Sequence, residues 1–307
     1  MSKKIVFMGT PEFSLKILEI LSKEKLEILS VYTQPPKKSS RGQKIKFSPI
    51  DKLAKKLNLE IRNPADLNNK NEYEFFKSLP PCIVIVVAYG KIIPKKYLDL
   101  PKKIFINIHA SLLPKWRGAA PIQRTIINKE KESGITIMKI EEELDSGPYM
   151  RQVRVKINEQ TNAKILGSIL SDLGAKNILE CIDLIDNNKA VFIDQNHKNS
   201  SYAKKIEKKE SKINWRDNAT DIIAKINALN PSPGAYFEHN KIRYKIWKAT
   251  LSEKVGNYGE ILDDKLTVAC KDKSIQILEI QKEGKNKLTV ENFLLGSAIK
   301  YGDRILC

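Results

Sequence analysis

The feature that most constrains the fold is a short, almost uninterrupted run of apolar residues, CIVIVVAYG, at Cys82–Gly90. A strand that is apolar on both faces is typical of a parallel sheet covered by helices on either side. KIVFMG at Lys4–Gly9 has the same character, and apolar residues recur after it at helical spacing. Strands and helices then continue to alternate, so we predict a mostly parallel α/β sheet.

The pattern changes in the last third of the chain. KNSSYAKKIEKKESK at Lys198–Lys212 is polar and charged, and one helix and several short alternating segments follow it. Such segments indicate a small β-rich domain. We therefore predict a Rossmann-like domain with helices on both faces at 1–189, a linker at 190–206, and a smaller, OB-like barrel domain at 207–307.

Composition and spacing narrow the class of protein. The longest apolar run, Ile83–Tyr89, is far shorter than the roughly 20 residues that cross a bilayer, so we expect a cytoplasmic protein. The first strand ends in a single glycine, Gly9, without the GxGxxG pattern, which disfavours NAD. We expect neither disulfides nor a metal site, because the cysteines are scattered without a CxxC pair: Cys82, Cys181, Cys270 and Cys307.

The formal net charge of +18 favours a polyanionic partner such as a nucleic acid. However, only nine of the 54 basic residues are arginines, whose planar guanidinium group is suited to binding phosphate. Part of the lysine excess is also explained by a composition rich in Ile and Asn. The overall charge therefore leaves the partner open, and a local cluster is the better evidence.

Candidate chemistry lies in NIHASLLPKWRGAAPIQ at Asn107–Gln123. Side chains alternate along a strand, so Asn107 and His109 share one face at its carboxyl end, where open α/β sheets bind ligands. An amide donor and an imidazole placed there suit chemistry at a carbonyl group. The alternative is a pair that only anchors the following loop. His197 and His239 lie in polar stretches, and we expect both at the surface.

The Asn-x-His-x-Ser-Leu-Leu-Pro pattern, together with LDSG at Leu144–Gly147, resembles the folate-dependent formyltransferase family. The resemblance covers most of the chain. One departure is Ala110, where we expect Gly in close relatives. Five further stretches carry the resemblance: FMGTPEFS (Phe7–Ser14), VYTQP (Val31–Pro35), RGQKIKFSPI (Arg41–Ile50), VVAYGKIIP (Val86–Pro94) and NPSPGAYF (Asn230–Phe237).

The resemblance implies transfer of the formyl group of 10-formyltetrahydrofolate to the α-amino group of methionyl initiator tRNA, with tRNA binding by the second domain. It implies that Asn107 and His109 stabilise the formyl oxygen and that Asp145 orients His109. Asp145 in Asp-Ser-Gly is alternatively only a turn residue. The folate-binding residues that the resemblance implies are Ser111, Leu112, Leu113, Pro114, Tyr89 and Gly90.

The segment PPKKSSRGQKIKFS at Pro35–Ser48 connects a predicted strand to a predicted helix with 14 residues. Most such loops need only about 2–6 residues. The family resemblance implies that this loop clamps the tRNA acceptor stem, whereas a solvated charge run is the alternative. Its five cations, which face no acidic residue in the segment, are Lys37, Lys38, Arg41, Lys44 and Lys46.

Other acceptors of the formyl group and other classes of protein remain as alternatives. A glycinamide ribonucleotide formyltransferase would share the catalytic residues but would not need the second domain or the basic loop. A formyltetrahydrofolate hydrolase or a sugar-nucleotide formyltransferase is a further alternative. A tRNA-binding protein without catalysis would tolerate loss of Asn107, His109 or Asp145, and the sequence retains all three.

Overall fold

The computed structural model describes residues 3–39 and 44–305. The chain folds into two compact units, and neither is continuous in sequence. One contains the chain up to residue 121, 132–155 and 167–203, and the other contains 122–131, 156–166 and the chain from residue 204. The domain boundaries drawn from composition stay a prediction, because each unit takes in separate pieces of chain.

Strands and helices alternate along residues 3–203. The helices are α1 (Leu15–Lys23), α2 (Pro49–Lys56), α3 (Lys70–Ser78), α4 (Lys95–Leu98), α5 (Pro121–Ile127) and α6 (Ala163–Asp186). The strands are β1 (Lys3–Gly9), β2 (Leu26–Tyr32), β3 (Lys37–Ser39), β4 (Lys44–Lys46), β5 (Ile61–Arg62), β6 (Cys82–Val87), β7 (Lys103–His109), β8 (Arg117–Gly118), β9 (Glu132–Lys139), β10 (Tyr149–Lys156) and β11 (Tyr202–Ala203).

A seven-stranded sheet in the order β10-β9-β7-β6-β1-β2-β5 forms the first unit. The neighbours from β7 to β5 are parallel, and β9 is antiparallel to β7. The predicted mostly parallel α/β sheet is confirmed. The chain builds outward from β1 to β5 and then returns to place β6 on the other side of β1. This switch point opens a crevice at the carboxyl ends of β1 and β6, where such sheets bind ligands.

Helices cover both faces of this sheet. Phe105 of β7 packs in a buried cluster with Phe76 of α3 and Tyr97 of α4. On the opposite face, Ile108 of β7 lies against α6, where a Cβ at Gly174 would be 3.2 Å from the Ile108 Cγ2 atom. Because side chains alternate along β7, Asn107 and His109 follow Phe105 on the α3 face.

The second unit contains an antiparallel sheet in the order β12-β13-β15-β14, with β16 beside β15. This arrangement confirms the predicted β-rich character of the C-terminal region. His239, expected at the surface, is largely buried, with 11% of its side chain exposed and its Nε2 3.9 Å from the Asp303 carboxylate. The elements are α7 (Ala219–Ala228), β12 (Ala235–His239), β13 (Ile242–Ser252), β14 (Thr267–Ala269), β15 (Ser274–Lys282), β16 (Leu288–Thr289) and α8 (Val290–Leu294).

Three thiols are buried in these cores. Cys82, Cys181 and Cys270 are free, and burial raises the pKa of Cys82 and Cys181 to about 11 and that of Cys270 to about 12. Cys307 lies outside the described residues. Within the described ranges, no helix is long and apolar enough to cross a membrane.

Asp263 anchors a turn before β14. Its Oδ1 accepts the backbone N–H groups of Lys265 and Thr267, both at 3.0 Å, and its Oδ2 accepts from Lys254 Nζ at 2.7 Å. Burial raises the pKa of this carboxyl, but the hydrogen bonds from Lys254 and Thr267 outweigh it and lower the pKa to about 2. The ionised carboxylate therefore stabilises the folded state.

Replacing Asp263 by Asn should lower the free energy of unfolding at pH 7 by about 2 kcal/mol, since the pKa lies below its value in the unfolded chain. This stabilisation is complete above the unfolded-state pKa of about 4 and is lost as the pH falls towards 2. Urea unfolding of the full chain at several pH values measures the difference. The exposed neighbour Asp264, changed to Asn, is the control. A pH-independent effect of Asp263→Asn would contradict the assignment.

Candidate active site

One carboxylate connects the polar residues at the end of β7. Asp145 Oδ1 accepts a hydrogen bond from Asn107 Nδ2 at 3.3 Å, and its Oδ2 accepts the backbone N–H of Gly118 at 2.8 Å. The same Oδ2 lies 3.6 Å from His109 Nδ1. The fold therefore brings together Asn107, His109 and Asp145, which are far apart in sequence.

The imidazole of His109 is held at both nitrogens. Its Nε2 lies 2.9 Å from the carbonyl oxygen of Trp116 and must donate a proton there, because a carbonyl only accepts. Its Nδ1 faces the Asp145 carboxylate. The ring is buried, so this arrangement fixes both its orientation and the position of its Nε2 proton.

The turn that carries Asp145 has little freedom. Asp145 has a φ of 50°, in the left-handed region that Asp tolerates better than most residues. A Cβ at Gly147 would lie 2.2 Å from the carbonyl oxygen of Lys139, so this position requires glycine. Ser146 Oγ donates to the Glu143 carbonyl at 2.9 Å. Asp145 is thus a turn residue and a member of the site at once.

The segment Ser111–Pro114, a candidate folate-binding loop, is held by hydrogen bonds to side chains of β9 and β10. Thr136 Oγ1 donates to the Ser111 carbonyl at 2.7 Å and accepts the N–H of Leu113 at 3.0 Å. Gln152 Nε2 donates to the Leu113 carbonyl at 2.6 Å. Leu113 is 3% exposed, while the other leucine and the proline of the segment are only partly buried. The partly buried residues are the ones that present surface to a ligand.

Tyr89 and Gly90 lie where β6 ends, beside β1. The Tyr89 ring belongs to the buried cluster, and its carbonyl accepts from Thr10 Oγ1 at 2.9 Å and from Gln34 Nε2 at 3.2 Å. Gln34 Nε2 also donates to the Gly90 carbonyl at 3.0 Å. We did not select Thr10 and Gln34 from the sequence. The sequence signal that could have identified them is their position just after two predicted strands.

Part of the predicted linker is packed along the site. Ser201 accepts the N–H of Trp116 on its Oγ at 3.0 Å and the N–H of Arg117 on its carbonyl at 2.8 Å. β11 then pairs in parallel with β8. We call residues 193–203 the strap, because Ile193 pairs with Tyr149 of β10 and Ser201 binds the loop that carries Trp116. Polar composition gave no sign of these contacts.

A buried cation lies behind the turn that carries Asp145. Arg117 donates from Nε at 3.2 Å and from Nη2 at 2.8 Å to Gln195 Oε1, and Nη2 is also 3.1 Å from His197 Nδ1. Gln195 Nε2 donates to the carbonyls of Asp145 at 2.9 Å and Gly147 at 2.7 Å. His197 is exposed, as predicted, but it also accepts a hydrogen bond from Arg117.

The basic loop after β2 contains a hairpin that we did not predict. β3 and β4 pair antiparallel, with Lys37 opposite Lys46, Lys38 opposite Ile45, and the third pair completed by Lys44. The side chains of Lys37 and Lys46 are exposed. The predicted contact residue Arg41 lies outside the described residues.

No cluster suited to a metal is present in residues 3–39 and 44–305, since no three His, Cys, Asp or Glu side chains there converge. The polar side chains that meet at the end of β7 are an amide, an imidazole and a carboxylate. Asn107 uses one of its two amide hydrogens on Asp145, so the other can serve an oxygen atom in the crevice.

Two family models and several relatives match this chain in sequence. The "Formyl transferase" model matches residues 3–182, and the "Formyl transferase, C-terminal domain" model matches residues 205–298. A methionyl-tRNA formyltransferase of Pelagibacter ubique is 53% identical over 307 residues, covering 99% of both chains. A methionyl-tRNA formyltransferase of Caldanaerobacter subterraneus is 40% identical, covering 97% of this chain and 98% of the relative.

Solved structures share the fold. An N-formyltransferase from Helicobacter canadensis, bound to folinic acid and dTDP-3-aminofucose, superposes with a TM-score of 0.68 at 24% identity, covering 92% of this chain and 100% of that chain. Methionyl-tRNA formyltransferase from Clostridium thermocellum has a TM-score of 0.58 at 15% identity, covering 81% and 93%. The matching models and the full-length relatives show that this chain belongs to the formyl transferase family.

Proposed function

We propose that the chain transfers the formyl group of 10-formyltetrahydrofolate to the α-amino group of methionyl initiator tRNA. The observation that carries this proposal is the Asp145 carboxylate, which binds Asn107 and faces His109 beside the crevice of the sheet. Two matched family models and full-length relatives of that activity support it. We place the activity in the cytoplasm, where charged initiator tRNA is used.

The difficult step lies at the formyl carbonyl. An α-amino group titrates near pH 7.7–8.0, so the attacking amine is substantially neutral and needs little activation. Negative charge develops on the formyl oxygen during attack. The second amide hydrogen of Asn107 can bind that oxygen, and a donor of this kind is worth about 3–4 kcal/mol in the transition state.

His109 and Asp145 serve the transfer of the amine proton and the orientation of the imidazole ring. The Trp116 carbonyl and the Asp145 carboxylate face opposite nitrogens of the ring, so the imidazole is held in one orientation. The proton lost by the attacking amine must reach the departing folate nitrogen. His109, directly or through a water that it positions, can carry it.

The hairpin supplies a surface for the tRNA. Lys37 and Lys46 are directly opposite each other, and like charges in this position repel. A phosphate between them would relieve the repulsion and release counterions. We propose that the basic residues of this loop bind tRNA, including Lys38, Lys44 and Arg41. This surface favours tRNA over glycinamide ribonucleotide as the acceptor.

The second unit offers another polar surface, in which lysines lie beside the acidic residues Glu159 and Glu279. A cleft of about 820 Å³ lies within it, and its lining includes Lys164, Lys248, Lys287 and Trp247. Lysines bind phosphate, and an indole offers a stacking surface for a base. We therefore propose tRNA binding for this unit as well.

The acceptor is tested by offering labelled formyl donor to charged methionyl initiator tRNA, to glycinamide ribonucleotide and to water in parallel. We expect label in the methionyl-tRNA. Transfer to glycinamide ribonucleotide alone, or release of formate alone, would contradict the proposed acceptor.

Replacing Asn107 by Ala should lower the rate of formylation by at least ~100-fold, the scale of a lost oxyanion donor, and replacing His109 by Ala should cost a similar factor through the loss of proton transfer. Both side chains lie at a strand end, so we expect the variants to fold. Single-turnover kinetics with saturating donor measure the effect, and the exposed residue Asn71, changed to Ala, is the control. Near-normal turnover in either variant would remove that residue from the mechanism.

Changing Lys37 and Lys46 together to Ala should weaken tRNA binding and flatten its salt dependence by about one unit of log–log slope per lost phosphate contact. Arg41→Ala should weaken use of tRNA while donor affinity stays unchanged. The matched control changes Lys23 and Lys25, exposed residues just before β2 and therefore at the opposite edge of the sheet. Equal salt slopes for both double variants would contradict tRNA binding by the hairpin, which would then be only a solvated charged loop.

A further inference from the structure

The catalytic turn rests on a buried positive charge. The Arg117 side chain is 1% exposed, and the Glu143 carboxylate, 3.8 Å from its Nη1, is itself exposed. A buried charge is costly unless polar groups surround it. Two neutral acceptors, Gln195 Oε1 and His197 Nδ1, bind the guanidinium directly.

Arg117 fixes which way the Gln195 carboxamide faces. An inverted carboxamide would place its NH₂ group against the guanidinium, donor to donor, so Oε1 must face Arg117. The NH₂ group is then directed at the catalytic turn, where it donates to the carbonyls of Asp145 and Gly147. Gln195 is buried, so water competes weakly for these bonds.

We propose that Gln195 is a positioning residue for formyl transfer, with Arg117 as its support. Asp145 is held at a φ of 50°, a region that costs free energy for residues other than glycine. The Gln195 bonds to both sides of this turn stabilise that conformation. The carboxylate then reaches Asn107 and His109. This inference rests on the proposed function and deepens it.

A purely structural role is the competing explanation, in which Gln195 only compensates the buried charge of Arg117. The substitution Gln195→Glu separates the two roles. Glutamate keeps the acceptor and gives Arg117 a full counter-charge, which offsets part of the stability lost with the two bonds to the turn. It has no N–H to donate to the carbonyls of Asp145 and Gly147. A structural role therefore predicts normal turnover, and a positioning role predicts a loss.

The experiment compares the full-length Gln195→Glu variant with the wild type, using methionyl initiator tRNA and 10-formyltetrahydrofolate. We expect kcat to fall between about tenfold and about 100-fold, the effect of misplacing a catalytic group by about 1 Å. The KM for the formyl donor should stay close to wild type, and the variant should remain folded at the assay temperature. Gln276→Glu, in the second unit, is the matched control. Wild-type turnover in Gln195→Glu would overturn the proposal.

A double-mutant cycle tests whether Gln195 acts through Asp145. In an Asp145→Asn background, Gln195→Glu should lower the rate by less than about twofold, because the group that it positions has already been altered. A loss as large as in the wild-type background would overturn the proposal. If Gln195→Glu does not fold, Gln195→Asn, which is shorter by one methylene, takes its place with the same expected losses.

The same measurements separate this inference from the proposed function. A wild-type chain that formylates no methionyl-tRNA would contradict the function itself. A wild-type chain that is active, with variants that turn over equally fast, would contradict only the role of Gln195.

Discussion

The site depends on the contacts of one group, the Asp145 carboxylate. It binds the amide of Asn107 on β7, the backbone N–H of Gly118 on β8, and faces the imidazole of His109. The sheet supplies rigid positions for the strand residues, and this carboxylate joins them to the turn after β9. Its two oxygens face different partners, so a small displacement of the turn would weaken several contacts at once.

The sheet and the placement of Asn107 and His109 on one strand face could be predicted because their signals are local. Apolar runs such as Cys82–Val87 report strands buried on both faces, and the alternation along β7 places Asn107 and His109 together. The family resemblance added Asp145, whose distance in sequence hides its proximity. Spacing alone had left open whether these residues perform chemistry or only anchor a loop.

The strap, its buried partners and the hairpin could not be predicted, because their stability comes from tertiary hydrogen bonds. Gln195 and Ser201 lie in a polar stretch that is typical of a linker, yet both bind groups of the catalytic loops. Arg117 is a charged residue that composition would place at the surface, whereas it is buried. The hairpin opposes Lys37 to Lys46, a pairing that residue preferences disfavour.

The strap also limits how this catalytic unit could be recombined with other domains during evolution. A crossover near residue 190, where composition places the end of the first domain, would separate Gln195, Ser201 and β11 from the loops that they bind. A viable crossover would have to fall after Ala203, so that the whole strap is inherited with the catalytic sheet. The segment that composition marks as a linker between domains would therefore be inherited together with the first domain.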